Sequence, residues 1–169
     1  TVDDFDEWFA LREAVAAEGV HIGVEGPLDR EASRAAYLSW FDDDHHEVIV
    51  AIEEGPIVGA LATSVDHGIV ELGMLVAAAH RGRGVGRALL EACIDWARER
   101  GAHKIELGAW PHNAAAIGLY RSVGFEYEGR RRRRHLRHDG SLWDALLMGL
   151  ILDDDAPGCP HADAGSPTE

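Results

Sequence analysis

The sequence predicts one α/β domain, and three observations predict it. Its 169 residues are 46% hydrophobic, enough to bury a core without disulfide or metal staples. Apolar spacing switches along the chain between the two-residue period of strands and the 3.6-residue period of helices. A glycine-rich turn joins a strand to the longest helical pattern. Phe5, Trp8, Phe9, Leu11, Ala14 and Val15 recur at helical spacing over 4–18, with Asp3 or Asp4 as cap and Gly19 as stop. After a loop at 21–28 a second helix is predicted over 29–41, with Ala32, Ala36, Leu38 and Trp40 as its inner face and an acidic run at 42–44. Residues 48–52 form a strand, 53–56 a hairpin turn, and 57–65 its partner. A second turn at 66–68 leads to a strand over 69–76. A long helix follows over 84–100, with Val85, Leu89, Leu90, Cys93, Ile94 and Ala97 inward and Gly101 at its end. A strand at 104–109, a shorter helix at 113–123 closed by Gly124, and strands at 125–133 and 142–152 complete the order αα-βββ-α-β-α-ββ. Residues 1–152 are thus expected to form the domain, and 153–169, with Pro157, Pro160 and Pro167 and no periodicity, a mobile tail.

Charge narrows the function classes. Thirty acidic residues against 16 basic ones give a formal net charge of -14, and Lys104 is the one lysine. Such a field opposes binding to nucleic acid or anionic membrane. An acidic surface almost without lysine fits solubility in concentrated salt, a halophilic source; a GC-rich genome that favours arginine over lysine fits equally. No apolar run reaches the ~18 to 20 residues of a membrane span, and Thr1-Val2-Asp3-Asp4 lacks a basic and apolar leader, so a cytoplasmic protein is expected. Cys93 and Cys159 sit in settings too different to pair. The histidines and cysteines show no four-ligand zinc spacing, and no metal is expected.

The turn carries the chemistry. Between strand and helix, Arg81-Gly82-Arg83-Gly84-Val85-Gly86-Arg87 offers consecutive backbone N–H groups without intrahelical partners. Glycine admits close backbone approach, and the helix dipole favours an anion, which makes this a pyrophosphate cradle. Arg81, Arg83 and Arg87 add local positive charge. A dinucleotide fingerprint needs a different glycine spacing after the first strand of a βαβ unit, and a P-loop needs Gly-Lys followed by Ser or Thr; neither is present. Arg-x-x-Gly-x-Gly, at Arg81, Gly84 and Gly86, is.

With that motif the chain resembles the GNAT superfamily of acyl-CoA N-acyltransferases. A second block at the right distance, Asn113 through Leu119, Tyr120, Gly124 and Phe125, is similar to the family's Asn-x-x-Ala-x-x-Leu-Tyr-x-x-x-Gly-Phe. The resemblance runs from the first helix to about Leu152. Ala78 stands where the family usually has proline, and the short strand that usually precedes the first helix is missing or lies upstream. The resemblance implies a central, mostly antiparallel twisted sheet flanked by helices and splayed at the cofactor-binding strand. It implies acetyl-CoA as cosubstrate, with main-chain groups of Leu75 and Val76 on the pantetheine arm. N–H groups of Arg81, Gly82, Arg83, Gly84, Val85 and Gly86 would hold the pyrophosphate, and Asn113 would reach the cofactor or cap its own helix. Tyr120 matches the general acid for the departing thiolate; a phenol near its ordinary pKa of ~10 suits a sulfur near ~8.5 to 10 without a large shift. Glu71, on the strand before the cradle, is the first candidate for general base, with Glu25, Glu106 and His112 as others. His21, Glu25, Trp110 and His112 fall on loops expected near the acceptor.

The implied reaction is transfer of an acetyl group to a primary amine by direct attack in a ternary complex. Small amines, amino acids and protein N-termini all fit as acceptors, and a homodimer is compatible with the sequence. One rival is a non-catalytic acyl-CoA sensor, which would not need Tyr120. Another is a nucleic-acid-binding regulator using the arginine run at 130–134; strand alternation would send those arginines to opposite faces, and a charged edge strand or interface is the simpler reading.

Overall fold

The computed structural model describes residues 1–41 and 44–153. In chain order its elements are α1 (Phe5–Ala17), α2 (Arg30–Ser39), β1 (His46–Ile52), β2 (Ile57–Asp66), β3 (Ile69–Val76), α3 (Val85–Glu99), β4 (Lys104–Ala109), α4 (Ala114–Val123), β5 (Glu126–Leu136) and β6 (Leu142–Ile151). The order is the predicted one. Asp42, Asp43, Cys159 and the tail from 154 onward lie outside the described residues. No helix among the described residues is long and apolar enough to cross a membrane.

Among the described residues the sheet has six strands in the order β1-β2-β3-β4-β6-β5. Every neighbouring pair is antiparallel except β3 with β4, whose connection through α3 makes them parallel. That parallel pair is short, running from Ile69↔Lys104 to Leu72↔Leu107. β3 then continues along β2 as far as Gly59↔Val76, while β4 continues along β6 to Ala109↔Leu146. Each half of the sheet keeps its own ladder, and the two halves part beyond Leu72 and Leu107.

Two apolar layers hold the sheet. On one face α3 buries Leu89, Leu90, Cys93, Ile94 and Ala97 against Leu61, Val70, Ile105 and Met148. On the other, α1 buries Phe5, Trp8, Phe9, Leu11 and Val15 with Ile57 and Ala60. The predicted inner face of α2 is corrected: Ala32 and Ala36 are exposed, Leu38 and Trp40 half-buried, and Tyr37 is the buried anchor at 1% exposure. Its ring lies 4.8 Å from that of Trp8 and 5.5 Å from that of Phe5, and its hydroxyl donates to the Thr1 carbonyl at 2.9 Å. The aromatic ring removes far more area from water than a methyl group, so it sets which side of the helix turns inward. α2 is thereby seated on α1, with Arg30 to Asp6 at 2.6 Å as an outer tie.

Candidate active site

The parted strands open a cleft with two lobes. The first runs along Leu75 and Val76 to Arg81, Gly82, Gly84 and Gly86; the second crosses Glu71, Glu106, Gly108, Ala145 and Leu147 to Arg131 and Arg134 on β5. His21, Ile22, Met74, Asn113, Ala116 and Tyr120 border both.

The first lobe owes its form to three glycines used in two ways. Gly82 (φ +73°) and Gly84 (φ +92°) occupy left-handed backbone, and a Cβ on either would project into open space. At Gly86 a Cβ would lie 2.9 Å from Leu119 Cδ2, so glycine there lets the start of α3 press against α4. Gly84 caps α3, and the N–H groups of Gly82, Arg83 and Gly84 donate to no acceptor among the described residues. The result is a row of unspent donors at the positive end of a 15-residue helix. β3 also presents an unpaired edge from Gly73 to Val76 on the side that β4 has left.

The arginines around the turn do not all face that lobe. Arg81 donates from Nε to the Val76 carbonyl at 3.0 Å and clasps both Glu18 carboxylate oxygens at 2.7 Å, so it is a strut between α1 and the end of β3. The Arg81 hydrogen bonds hold the Glu18 carboxyl below its ordinary range. Arg83 turns away to Glu53 at 2.6 Å. The Val85 side chain is packed at Gly59, where an added Cβ would meet its Cγ1 at 2.8 Å. Arg87 lines the lobe and reaches Ser122 Oγ at 2.7 Å.

At the junction, Asn113 caps α4 by accepting from Ala116 N at 3.1 Å. Two turns later Tyr120 is 7% exposed, its ring 5.9 Å from that of Phe125. Its hydroxyl makes no hydrogen bond among the described residues, and burial pushes its pKa up to about 12. The phenol is therefore held neutral and aimed at the cleft, and the ordinary pKa assumed from sequence is revised upward.

In the second lobe Glu71 stands beside Glu106 in register. Glu106 pairs with Lys104 at 2.7 Å, whereas Glu71 has no ion pair or hydrogen bond among the described residues. The arginine run departs from strand alternation. Arg131 pairs with Ala145 and His135 with Trp143, so residues 132–134 bulge opposite Asp144. Arg133 takes φ +52°, and its N–H donates to Asp144 Oδ1 at 2.6 Å while Arg130 Nε donates to Oδ2 at 2.6 Å. The Arg133 N–H, then Arg130, keep the Asp144 carboxyl below its ordinary range. The extra residues bring both Arg131 and Arg134 to the cleft, where simple alternation would have sent them apart.

The loop after α1 closes the cleft from above. Arg137, 4% exposed, donates to the Gly19 carbonyl at 2.8 Å and lies 4.3 Å from the Trp143 ring centre. His112 sits 3.0 Å from the Val20 carbonyl, stacked on Trp110. His21 and Trp110 line the second lobe; Glu25 does not, since it accepts from His138 N at 2.8 Å on the loop's outer side. Burial, then the Arg81 charge, lower the His21 pKa and favour its neutral form. Arg137 has no sequence signal beyond its place near an arginine run. Among the described residues no three His, Cys, Asp or Glu side chains converge as metal ligands.

Residues 8–125 match the acetyltransferase (GNAT) family model. The L-methionine sulfoximine/L-methionine sulfone acetyltransferase of Salmonella typhimurium is 32% identical over 137 residues, covering 76% of this chain and 80% of that protein. Among solved structures, the ribosomal-protein-alanine N-acetyltransferase of Brucella melitensis superposes with a TM-score of 0.81 at 33% identity, covering 90% of this chain and 96% of that one. The protein yncA of Salmonella typhimurium, solved with its cofactor acetyl-CoA, gives a TM-score of 0.81 at 26% identity over 95% of each chain. Sharing the family's pattern over more than half its length, and the fold of relatives that match it in sequence as well, this chain belongs to the GNAT family of acyl-CoA-dependent N-acetyltransferases.

Proposed function

We propose that the cleft takes acetyl-CoA in its first lobe and a primary amine in its second, and that the acetyl group passes directly from sulfur to nitrogen while both are bound. The observation that carries this reading is Tyr120, a buried neutral phenol at the junction of the two lobes. The chain's own residues fit the cosubstrate. Free N–H groups at Gly82, Arg83 and Gly84 with open space above the glycines suit a pyrophosphate. The unpaired β3 edge, with Leu75 and Val76, suits an extended amide-bearing arm that takes the place of a neighbouring strand. Arg83 and Val85 contribute through their main chain, and Arg81 by fixing the Val76 carbonyl. Asn113 faces the same space while capping α4.

Glu71 takes the surplus proton from the attacking amine, directly or through a water. As nitrogen bonds to the carbonyl carbon and the carbon–sulfur bond breaks, Tyr120 gives its proton to the sulfur. A phenol at about 12 is a weak acid, but the same dry surroundings raise the departing thiol too, as burial raises Cys93 in this protein to about 12. Donor and acceptor move together, and the proton transfer stays feasible. Residues 1–152 act as one acetyltransferase domain in this reading. Relatives named for an amino-acid derivative and for a ribosomal-protein alanine support an acceptor among small amines, amino acids and protein N-termini. A screen of such amines, following free thiol release from acetyl-CoA, tests the proposal: amine-dependent release supports it, and tight acetyl-CoA binding without release from any amine would make the protein a sensor.

A further inference from the structure

We infer that the acceptor is a free α-amino acid with a neutral side chain, its carboxylate held by Arg131 and Arg134 and its amine directed to Glu71. The inference rests on the acetyl-transfer reading and narrows it. The chain carries 30 acidic and 16 basic residues, and its structure turns many of its arginines onto carboxylates or carbonyls, among them Arg30, Arg81, Arg83, Arg130 and Arg137. Arg131 and Arg134 make no hydrogen bond or ion pair among the described residues, although they line a concave site. Two planar guanidiniums left unpaired at a cleft, in an acidic protein, are placed for an anion brought from outside.

Exposed arginines on a strand are ordinarily just solvated; the bulge argues otherwise here. A regular strand would turn only one of positions 131 and 134 toward the cleft. Three residues opposite Asp144, with left-handed backbone at Arg133 and both Asp144 oxygens engaged, turn both. Bulges re-aim side chains in this way beside active sites.

The rest of the lobe completes a dipolar site. Glu71 is a carboxylate without a partner, while its neighbour Glu106 is neutralised by Lys104. Register sets Glu71 level with Glu106 and Gly149, and Arg131 level with Ala145, so four residues and three strand spacings separate Glu71 from Arg131, about 13 Å by about 14 Å. Arginine and glutamate side chains reaching toward each other across that span leave room for one small zwitterion. The floor between is Gly108, Ala145 and Leu147, and Trp110 and Leu107 add apolar wall, which suits an uncharged side chain. A protein N-terminus would bring an amide where the carboxylate belongs, and two guanidiniums would face a neutral carbonyl.

The test compares L-leucine and L-methionine with L-leucinamide, L-methioninamide and a short peptide beginning with alanine, measuring kcat/KM by thiol release. Free acids are expected to exceed their amides by about 10- to 100-fold, the value of charge-assisted hydrogen bonds. Arg131→Gln and Arg134→Gln should each raise KM for the acids by a similar factor, shift the acid-to-amide ratio toward one, and leave the acetyl-CoA Kd in place as a check on folding. Amides or peptide used as well as the acids, or variants that weaken acids and amides equally, would overturn the inference while the acetyl-transfer reading stands. No turnover of any amine would overturn both.

Discussion

Replacing Tyr120 by Phe removes one hydroxyl and keeps the ring against Phe125. That hydroxyl has no hydrogen-bond partner among the described residues, so its loss should alter folding by less than about 1 kcal/mol. For a chain of this length such a change moves Tm by no more than about 4 °C. Removing the proton donor should instead lower kcat by ~10²- to 10⁴-fold, or about 2.7 to 5.4 kcal/mol of transition-state stabilisation. The two effects differ enough to be separated. Because burial raises the phenol to about 12, the proton stays on at every pH below about 10, and Tyr120 should impose no alkaline fall in kcat over that range. The assay is kcat by thiol release beside a direct acetyl-CoA Kd for both proteins. A lower affinity at equal kcat would show a binding hydroxyl, since an interaction equal in ground and transition states does not change turnover. Near-wild-type turnover would refute the assignment and leave water or another residue as the acid.

Gly84→Glu forces a side chain into left-handed backbone and sets a carboxylate over the free N–H groups; acetyl-CoA should raise the wild-type Tm and leave the variant's unmoved, and an equal shift would place the phosphates elsewhere. Cys93 is fully buried with its thiol pushed to about 12, so in a Cys159→Ser background no thiol should react with a disulfide reagent until denaturant is added; prompt reaction would show that the α3 core opens. If the net charge of -14 is an adaptation to salt, Tm should climb steeply from low to molar salt as self-repulsion is screened, and a flat profile would end that idea.

What the sequence made legible was the local structure tied to backbone necessity. Gly82 and Gly84 had to be glycine for their positive φ, and Gly86 for its contact with Leu119, so their spacing announced the turn before α3. Asn113, Tyr120 and Gly124 followed the periodicity of a short capped helix, and Gly124 takes φ +108° at its end. The parting of β3 from β4 was not readable from the residues themselves, because it depends on where two ladders stop sharing a register. Arg131 and Arg134 were hidden for a related reason: alternation assigns faces correctly only until a bulge adds residues. Arg81 looked like a phosphate ligand because its partner, Glu18, lies 63 positions away. Tyr37 was overlooked because the face drawn through Ala32, Ala36, Leu38 and Trp40 passed it by, although the area of its ring decides burial.

The most direct measurement incubates the protein with acetyl-CoA, with and without an acceptor amine from the screen, and quantifies free CoA, N-acetylated amine and intact protein mass. Direct transfer at a shared cleft predicts one N-acetyl product per CoA released and no acetylated protein when the amine is withheld. CoA released without N-acetyl product, or a protein that gains an acetyl group before any amine is added, would contradict it.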